Sequence, residues 1–358
     1  MRIVRYYPRA VVGDGGITSS VWHSSHALAN AGVDVVVAFD EGAAPCSPNG
    51  IVWWPVRHSG WPWAVPRGLE DLVSGADVLV LHSAWAYHNL RAGRVARSRH
   101  IPYVLEPRGA YDPAIVSRKR WGKRLWWALW ERRLVMNAAA IHVFFDAERE
   151  HLAALGWDGP VVVAPNGVEN PSGARWDGGS GGYLLWYGRF DPEHKGIDLL
   201  LEAMRLLPPE ERIPLRLHGP DSRARKKDEV RRHVHALGLH RWVTVGEPIH
   251  GAEKMEILSR AVGFVYPSRW EAFGNAAGEA AAVGVPTVVT PYPLGRYLAG
   301  RGAAILAEAD PASLAEGLRR LSRPEAAEIG RRAAAVVAQE FSWEEVTRRW
   351  LEQVKSLL

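Results

Sequence analysis

The sequence predicts an α/β protein made of two doubly wound domains that face each other across a cleft. Three observations carry this prediction: the chain length, the alternation of short β-branched runs with helix-length amphipathic stretches, and a glycine-rich break near the middle. A chain of 358 residues with 47% hydrophobic and 23% charged residues suits two well-cored domains better than one. The alternation is typical of a parallel sheet with crossover helices.

The first half contains a regular series of predicted strands. They cover Arg2–Tyr7, Val33–Ala38, Ile51–Val56, Val78–His82, Tyr103–Leu105, Ile141–Phe144 and Val161–Ala164. A helix is predicted over Ile17–Ala31, because Gly32 stands where a glycine commonly ends a helix. We expect an N-terminal domain over residues 1–169.

The second half repeats the pattern after a glycine-rich segment, residues 170–182, which predicts an exposed linker. Strands are predicted over Tyr183–Tyr187, Pro214–Leu217, Val243–Val245, Gly263–Tyr266, Val285–Val289 and Ala303–Leu306. A second domain therefore spans 183–341, and the apolar spacing in Ser342–Leu358 predicts a terminal helix. Open α/β sheets bind ligands at the carboxyl ends of their strands, so we expect the site in a cleft between the two domains.

The charge and the cysteine content limit which classes of function fit the sequence. The formal net charge of +5 favours anionic ligands, but dense basic runs typical of a nucleic-acid binder are missing. Cys46 is the single cysteine, so no intrachain disulfide is expected. The chain opens on a strand pattern and has no run of eighteen apolar residues, so a cytoplasmic protein is expected.

The stretch Pro267–Glu279 places two glutamates around a glycine-containing turn that follows a strand and opens a helix. Gly274 lets backbone N–H groups approach a phosphate, and the helix start adds a partial positive charge. Glu279 is then placed to accept hydrogen bonds from a ribose diol, and Glu271 to face a transferred sugar. The alternative is that both glutamates are an ordinary capping acid and a solvated surface residue.

The stretch Tyr187–Leu199 also follows a strand and leads into a helix. Arg189 and Lys195, six residues apart, are suited to bind both phosphates of a diphosphate and to neutralise the charge that grows as it departs. The alternative is a pair of solvated surface charges.

Together with Pro165–Val168, Gly15–Gly16 and Pro267–Ser268, these motifs resemble those of retaining glycosyltransferase family 4 with the GT-B fold. The resemblance covers nearly the whole chain and implies two Rossmann-like domains, the second binding a nucleoside diphosphate sugar and the first binding an acceptor hydroxyl. It also implies that the terminal helix returns to the first domain.

The resemblance implies a set of site residues. The catalytic residues are Arg189, Lys195 and Glu271. The donor-binding residues also include Gly15, Gly16, Gly219, Glu247, Pro248, Ile249, Phe273, Gly274, Asn275 and Glu279. Contacts to the base are expected from backbone atoms near Gly246–Ile249.

The first domain departs from the family pattern in one motif. The family often has a histidine before the glycine of a strand-end motif, and here Arg108 precedes Gly109. Arg108 is still able to hydrogen-bond a sugar hydroxyl or a donor phosphate. His82 is a second candidate near the acceptor, although a lone histidine is more often a structural residue.

No metal site and no cofactor are expected, because the sequence has one cysteine, scattered histidines and no Asp-x-Asp motif. The predicted reaction is transfer of a sugar to a glycan, glycolipid or natural product. A nucleotide-sugar epimerase and a non-catalytic nucleotide-sugar binder stay open as alternatives. A nicotinamide oxidoreductase is disfavoured, because Thr18 stands where the dinucleotide fingerprint needs a glycine.

The stretch 117–133 concentrates basic residues and four tryptophans in a helical pattern. Such helices lie on anionic membranes, which predicts peripheral contact with the inner face of a membrane. The favoured alternative is a helix that packs its tryptophans into the first domain, because stable attachment usually needs a second signal.

Overall fold

The computed structural model describes residues 1–11, 15–42, 44, 50–59, 65–117, 120–170, 173–221 and 225–358. The chain divides into two compact units. The first unit comprises Met1–Gly167 and Trp343–Leu358, and the second comprises Val168–Ser342.

The first unit contains a seven-stranded sheet with the order β3-β2-β1-β6-β7-β8-β9, in which all pairings are parallel. A short antiparallel hairpin, β4–β5, follows β3. The strands are β1 (Arg2–Ala10), β2 (Asp34–Glu41), β3 (Val52–Pro55), β4 (Arg57–Ser59), β5 (Val65–Arg67), β6 (Val78–His82), β7 (Tyr103–Glu106), β8 (Ala140–Val143) and β9 (Val161–Val163).

Helices connect these strands. They are α1 (Gly16–Asn30), α2 (Leu69–Leu72), α3 (Tyr87–Ser98), α4 (Pro113–Val116), α5 (Arg120–Trp126), α6 (Arg132–Met136) and α7 (Arg149–Ala154). A π-helical turn (Trp127–Glu131) joins α5 to α6, and a 3₁₀ turn (Asp146–Glu148) precedes α7.

The second unit contains a six-stranded parallel sheet with the order β12-β11-β10-β13-β14-β15. Its strands are β10 (Leu184–Tyr187), β11 (Leu215–His218), β12 (Val243–Gly246), β13 (Gly263–Tyr266), β14 (Thr287–Val289) and β15 (Ile305–Leu306). Its helices are α8 (Pro192–Lys195), α9 (Ile197–Leu206), α10 (Lys226–Ala236), α11 (Gly251–Ser259), α12 (Asn275–Val283), α13 (Pro293–Ala299), α14 (Pro311–Arg320) and α15 (Glu325–Glu340), with a 3₁₀ turn at Pro209–Glu211.

The central strands are buried along their whole length, because helices cover both faces of each parallel sheet. In the first unit, separate hydrophobic clusters fill the two faces of the sheet. The terminal helix α16 (Trp343–Lys355) buries Trp350 and Val354 in one of these clusters. Gln353 accepts a hydrogen bond from Val163 N (2.8 Å) and donates one to Val163 O (2.9 Å), so its amide satisfies the edge strand β9.

Every predicted strand is present, although β3, β14 and β15 are each two residues shorter than predicted. Residues 173–182 of the predicted exposed linker belong to the second unit, and none of them is buried. Trp176 donates its indole N–H to Ala261 O (2.7 Å), and its backbone N–H to Val283 O (2.9 Å). Hydrogen bonds to neighbouring elements therefore hold this exposed segment in place.

Some residues of the features predicted from the sequence lie outside the described part of the chain. These are Cys46, residues 118–119 of the 117–133 stretch and residues 171–172 of the predicted linker.

Candidate active site

The predicted donor residues of the second unit all follow neighbouring parallel strands. Arg189 follows β10, Gly219 follows β11, Glu247–Ile249 follow β12, and Glu271 and Gly274 follow β13. Since β12, β11, β10 and β13 are adjacent and parallel, these segments leave the same edge of one sheet. The topology therefore gathers the two sequence motifs at the edge where open α/β sheets bind ligands.

Lys195 ends the short helix α8 as a buried cation. The helix begins because Asp191 caps it, accepting a hydrogen bond from His194 N (3.4 Å), and Pro192 occupies its first position. The side chain of Lys195 is 11% exposed. Its ammonium donates to Tyr266 Oη (2.9 Å) and to Glu271 Oε1. An ammonium carries three N–H donors, so one donor is left without a partner among the described residues.

Glu271 is the carboxylate of this pair. Burial raises the pKa of Glu271, but the positive charge and the hydrogen bond of Lys195 outweigh burial, so the net pKa is lowered. His194 Nε2 lies 3.8 Å from Glu271 Oε1 and donates to Trp270 O (2.9 Å), and the His194 ring stacks on the Trp270 ring. The result is an ionised carboxylate held next to a buried ammonium.

Glu279 lies one helical turn into α12 and receives two hydrogen bonds. Tyr187 donates to Glu279 Oε2 at 2.6 Å, and Lys254 of α11 donates to the same oxygen at 2.9 Å. The carboxylate is 26% exposed, so its other oxygen can still meet a ligand. Burial raises the pKa of Tyr187, and the negative charge of Glu279 raises it further, so the phenol stays protonated and donates.

Gly274 begins α12 in a conformation that other residues rarely adopt. Its φ is 94°, and a Cβ placed here would lie 3.0 Å from the Tyr292 ring. Asn275, next along the chain, is half-buried, and Phe273 packs in the core against Phe341. Phe273 therefore anchors this turn from the core side, and its role in donor binding stays a prediction.

Gly219 is required by a close approach between two loops. A Cβ on Gly219 would lie 1.7 Å from Gly188 O, so only glycine fits where the loops after β10 and β11 meet. Next to it, Glu247 O lies 3.0 Å from His218 Nδ1, and Glu247 Oε1 accepts from Lys227 (2.6 Å). Ile249 is buried. Pro248 is half-buried.

Arg189 is exposed after β10, and no ion pair or hydrogen bond joins it to another described residue. The structure thus brings Lys195 and Glu271 into direct contact and places Arg189 at the same sheet edge. Its guanidinium is free to meet an anion.

Three residues of this site were not predicted from the sequence: Tyr187, Lys254 and Tyr266. The two tyrosines are connected through Phe264, with ring centroids 4.9 Å and 6.0 Å apart, and this aromatic series links the Glu279 contact to the Lys195 contact. A tyrosine that ends a predicted strand next to a motif was the available signal for both. Lys254 had no such signal, because it lies on an ordinary helix 25 residues before Glu279.

The predicted acceptor residues of the first unit surround Glu106. Arg108 pairs with Glu106 Oε1 at 2.8 Å, while His82 Nδ1 and His142 Nδ1 lie 2.9 Å and 3.5 Å from Oε2. Burial raises the pKa of Glu106, but the charges of Arg108, His82 and His142 lower it well below its usual range. Glu106, Arg108 and His142 line a cavity of about 40 Å³, which Arg5 also borders.

His82 is fully buried, and burial lowers its pKa to about 4, so its imidazole is neutral and inside the protein. Arg108 is 5% exposed at its side chain, and its backbone has a φ of 52° next to Gly109 at 73°. The acceptor roles of His82, Arg108 and Gly109 remain predictions. In this structure both side chains contact the buried Glu106 carboxylate.

Gly15 and Gly16 begin α1, where Gly15 O accepts a hydrogen bond from Ser19 N (3.0 Å). Both glycines are exposed. A Cβ on Gly15 would meet Thr18 Oγ1 only at 3.9 Å, so local packing does not require glycine here.

The tryptophans of the 117–133 stretch divide between the two interpretations. Trp127 packs against the core, and Trp126 donates its indole N–H to Glu131 Oε2 (2.9 Å). Trp121 is 80% exposed and Trp130 40% exposed. The prediction that this helix packs all its tryptophans inside is therefore wrong for Trp121 and Trp130, because they lie on its outer side.

Comparison with known proteins decides the family. The model described as "Glycosyl transferase 4-like domain" matches residues 15–167, and the model described as "Glycosyl transferases group 1" matches residues 181–323. The chain is a GT-B glycosyltransferase of the family 4 type. The transferase is 28% identical to D-inositol 3-phosphate glycosyltransferase 1 of Catenulispora acidiphila, over 96% of this chain and 91% of that protein.

Solved structures share the glycosyltransferase's fold. Sucrose-phosphate synthase from Thermosynechococcus elongatus superposes with a TM-score of 0.78 at 20% identity, covering 99% of this chain and 98% of the other. Anabaena HepE in complex with UDP-glucose gives a TM-score of 0.78 at 16% identity, covering 99% and 100%. Within the described ranges, no helix of the glycosyltransferase has the length and apolarity needed to cross a bilayer.

Proposed function

We propose that this glycosyltransferase takes a sugar from a nucleoside diphosphate sugar and transfers it to an acceptor hydroxyl with retention of anomeric configuration. The observation that carries the proposal is Lys195, a buried cation at the ligand-binding edge of the second sheet with one N–H donor unused among the described residues. A buried ammonium is costly to maintain unless it is paired. A diphosphate would use the remaining donor.

The diphosphate is held by fixed positive groups. Arg189 supplies a free guanidinium, Lys195 supplies its third N–H, and the start of α12 supplies backbone N–H groups and the positive end of the helix dipole. As the bond between the sugar and the diphosphate breaks, negative charge builds on the phosphate oxygens. Groups already oriented toward that position stabilise the transition state without reorganising. In this proposal, these positively charged groups do what a bound metal ion does for the diphosphate in other enzymes.

Retention follows if the acceptor oxygen attacks from the face that the diphosphate leaves. The bond from the anomeric carbon to the phosphate oxygen breaks, the bond to the acceptor oxygen forms on the same side, and the acceptor proton passes to the departing phosphate. Such a route needs no protein nucleophile. Glu271, kept ionised by Lys195, orients the sugar and stabilises the positive charge that develops on its ring.

The nucleoside is bound by two further segments. Glu279, with one oxygen occupied by Tyr187 and Lys254, accepts hydrogen bonds from the ribose diol through the other. The loop at Glu247–Ile249 offers backbone groups to the base, and Gly219 allows the neighbouring loops to pack closely enough to form this edge. The HepE neighbour is named as binding UDP-glucose, which makes UDP-sugars the first donors to test.

The first unit is proposed to bind the acceptor. It contains Arg108, which lines a small cavity with Glu106 and His142. A relative named for D-inositol 3-phosphate suggests a polyol or its phosphate as one acceptor class to include.

The decisive experiment does not need the acceptor. Purified protein is screened by thermal shift against UDP, GDP and ADP and against the corresponding nucleoside diphosphate sugars. Each sugar donor that stabilises the protein is then assayed for release of the nucleoside diphosphate, with water as the acceptor. Proton NMR, recorded before mutarotation, shows which anomer of the free sugar is released. Retention predicts that the released sugar has the same anomeric configuration as the donor. Release of the opposite anomer would refute retention, and interconversion of the nucleotide sugar without release would favour an epimerase.

We also propose that the outer face of the 117–133 stretch contacts an anionic membrane surface. Trp121, Leu125 and Leu129 are 80%, 61% and 54% exposed and recur every four residues, so they form one apolar stripe. Arg124 and Arg132 are exposed beside it. An apolar stripe flanked by arginines is suited to insert among anionic lipid headgroups.

A further inference from the structure

A second group of side chains lies in the first unit and shares no residue with the Glu106 cluster. Asp40, His58 and His88 place one ligand-type atom each within 4.8 Å of one another. Asp40 lies near the carboxyl end of β2, His58 lies in β4, and His88 lies in the first turn of α3. Three separate elements therefore converge on one point.

Two of the separations between ligand-type atoms are close to those found in a metal-binding site. His58 Nε2 lies 3.2 Å from Asp40 Oδ1, and His88 Nδ1 lies 3.7 Å from Asp40 Oδ2. Ligands bound tetrahedrally to zinc at about 2.0 to 2.1 Å are separated from one another by roughly 3.3 Å. The two imidazole rings meet edge to face with centroids 5.3 Å apart, so their nitrogens are able to converge without the rings colliding.

The carboxylate is oriented by a neighbour that is not itself a ligand. Tyr6 of β1 donates its hydroxyl to Asp40 Oδ1 at 2.9 Å, and Tyr6 is fully buried. Carboxylates that bind metals are characteristically hydrogen-bonded in this way, which fixes their direction. The Asp40 side chain is only 7% exposed, so it is held in place before any ion arrives.

We propose that Asp40, His58 and His88 form a binding site for one divalent transition metal ion, with zinc as the best match. Two imidazoles and one carboxylate are ligands that zinc accepts, and hard cations such as magnesium prefer all-oxygen sites. Three protein ligands leave a fourth position open to water or to an oxygen of a bound molecule. Asp40 lies near the carboxyl end of β2, at the edge of the sheet where such sheets bind ligands.

The site goes beyond the proposed transfer reaction and does not depend on it. The diphosphate chemistry is assigned to the second unit, and the metal site is composed only of first-unit residues. The competing explanation is an aspartate that pairs with two protonated histidines and never binds a metal. The two explanations differ in what happens when zinc is added.

The experiment titrates chelator-treated full-length protein with zinc chloride at pH 7.5 in a calorimeter, and monitors cobalt chloride binding by visible absorption. One zinc per chain is expected, together with a raised Tm at saturating zinc. His58→Ala and His88→Ala should weaken binding by about 100-fold or more, and Tyr6→Phe by about 10- to 100-fold, since it removes an outer hydrogen bond. Cobalt bound by the wild-type chain should give the intense bands of a four- or five-coordinate site.

The matched control is His235→Ala, which removes one of another pair of neighbouring histidines, His235 and His240, whose ring centroids lie 5.7 Å apart. This variant should bind one zinc with wild-type affinity. Equal loss in the control, unchanged binding in both site variants, or no binding by the wild-type chain would overturn the proposal. Circular dichroism checks that each variant is folded. The cobalt spectrum of the wild-type protein is a test that does not depend on any variant, because the weak bands of an octahedral cobalt ion would contradict the proposed site.

Discussion

Lys254 donates a hydrogen bond of 2.9 Å to Glu279, although the two residues belong to neighbouring helices of the second unit. Tyr187 donates to the same oxygen at 2.6 Å. Together they fix the carboxylate at the first turns of α12 before a ligand is bound. Preorganisation of this kind lowers the entropy cost of binding, so the role of Glu279 should appear mainly in affinity for the donor.

Glu279→Gln should weaken donor binding more than it slows the bound complex. The amide keeps the shape of the side chain but removes the charge that strengthens hydrogen bonds from the ribose. Hydrogen bonds to a charged group contribute roughly 1.5 to 3 kcal/mol, so we expect the KM for the donor to rise about 10- to 150-fold, with kcat changed much less.

The control for Glu279 is Glu256→Gln on α11, an exposed carboxylate that pairs with Arg260 at 3.6 Å. Steady-state kinetics should leave this variant unchanged. A Glu279→Gln enzyme with a normal KM and a lowered kcat would contradict the assignment to ribose binding.

Arg189→Ala and Lys195→Ala should each slow turnover at saturating donor. Each loses one charged hydrogen bond to the departing diphosphate, so the expected decrease is about 10- to 150-fold. Lys195→Ala also leaves Glu271 buried without its ammonium partner, so this variant should unfold at a lower temperature. Diphosphate release and thermal melting measure the two effects separately.

Arg205→Ala is the matched control for these two substitutions. Arg205 lies on α9 of the same unit and pairs with Glu202 at 2.8 Å on the exposed surface. Its loss should change neither rate nor Tm measurably, because exposed ion pairs contribute little. Full turnover by Arg189→Ala or by folded Lys195→Ala would show that the diphosphate is bound elsewhere.

Two glycine-to-alanine substitutions should have opposite effects on stability. Gly219→Ala places a Cβ 1.7 Å from Gly188 O and forces the loops apart, which should destabilise the protein by about 1 to 3 kcal/mol. Gly122→Ala, in α5, meets nothing within 4 Å and should stabilise by about 0.5 to 1 kcal/mol. Thermal melting compares them. A Gly219→Ala protein with a wild-type Tm would contradict the close approach of the two loops.

His82 should make the free energy of unfolding depend on pH below the ordinary pKa of a histidine. Burial lowers the pKa of His82 to about 4 from 6.5, so between these values the unfolded chain binds a proton that the native protein does not. Stability from this group is therefore complete above pH 6.5 and is lost as the pH falls to about 4, by about 3 kcal/mol in total.

The contribution of His82 is measured as a difference between proteins. Burial also raises the pKa of Glu148 to about 7, so Glu148 adds stability as the pH falls while His82 loses it. The pH dependence of the wild-type protein alone therefore contains both effects. His82→Asn should lose less Tm than the wild type between pH 6.5 and 4, while the exposed control His250→Asn should follow the wild type. Parallel curves for His82→Asn and wild type would show that His82 is not buried in the neutral form.

The strand pattern of both units could be predicted because parallel strands are apolar along their whole length. Val78–His82 and Gly263–Tyr266 are examples, each buried at every position. The segment around Trp176 could not be predicted. Its glycines resemble those of a free linker, and nothing local shows that the Trp176 indole finds a carbonyl 85 residues away.

The candidate site was predictable only where a motif is continuous in sequence. Glu271, Gly274 and Glu279 share one stretch, but the contact between Lys195 and Glu271 joins residues 76 apart. Asp40, His58 and His88 looked like scattered polar residues, and the expectation of no metal site depended on that appearance. Side chains from β2, the β4–β5 hairpin and α3 become neighbours only once the fold brings those elements together.

The apolar stripe of the 117–133 stretch predicts binding to anionic vesicles that depends on both exposed hydrophobic side chains and charge. Wild-type protein should float with vesicles of phosphatidylglycerol and phosphatidylcholine at low salt, and less so as the salt concentration rises, since arginine contacts are screened over about 10 Å at 0.1 M.

Trp121→Ser with Leu125→Ser should abolish flotation. Leu206→Ser, which replaces a 47% exposed leucine of the second unit, is the control and should float normally. Because Trp121 and Leu125 are exposed and outside the core, both proteins should melt alike, so a loss of flotation reports the surface and not the fold. Wild-type protein that stays in the soluble fraction at low salt would exclude the membrane contact.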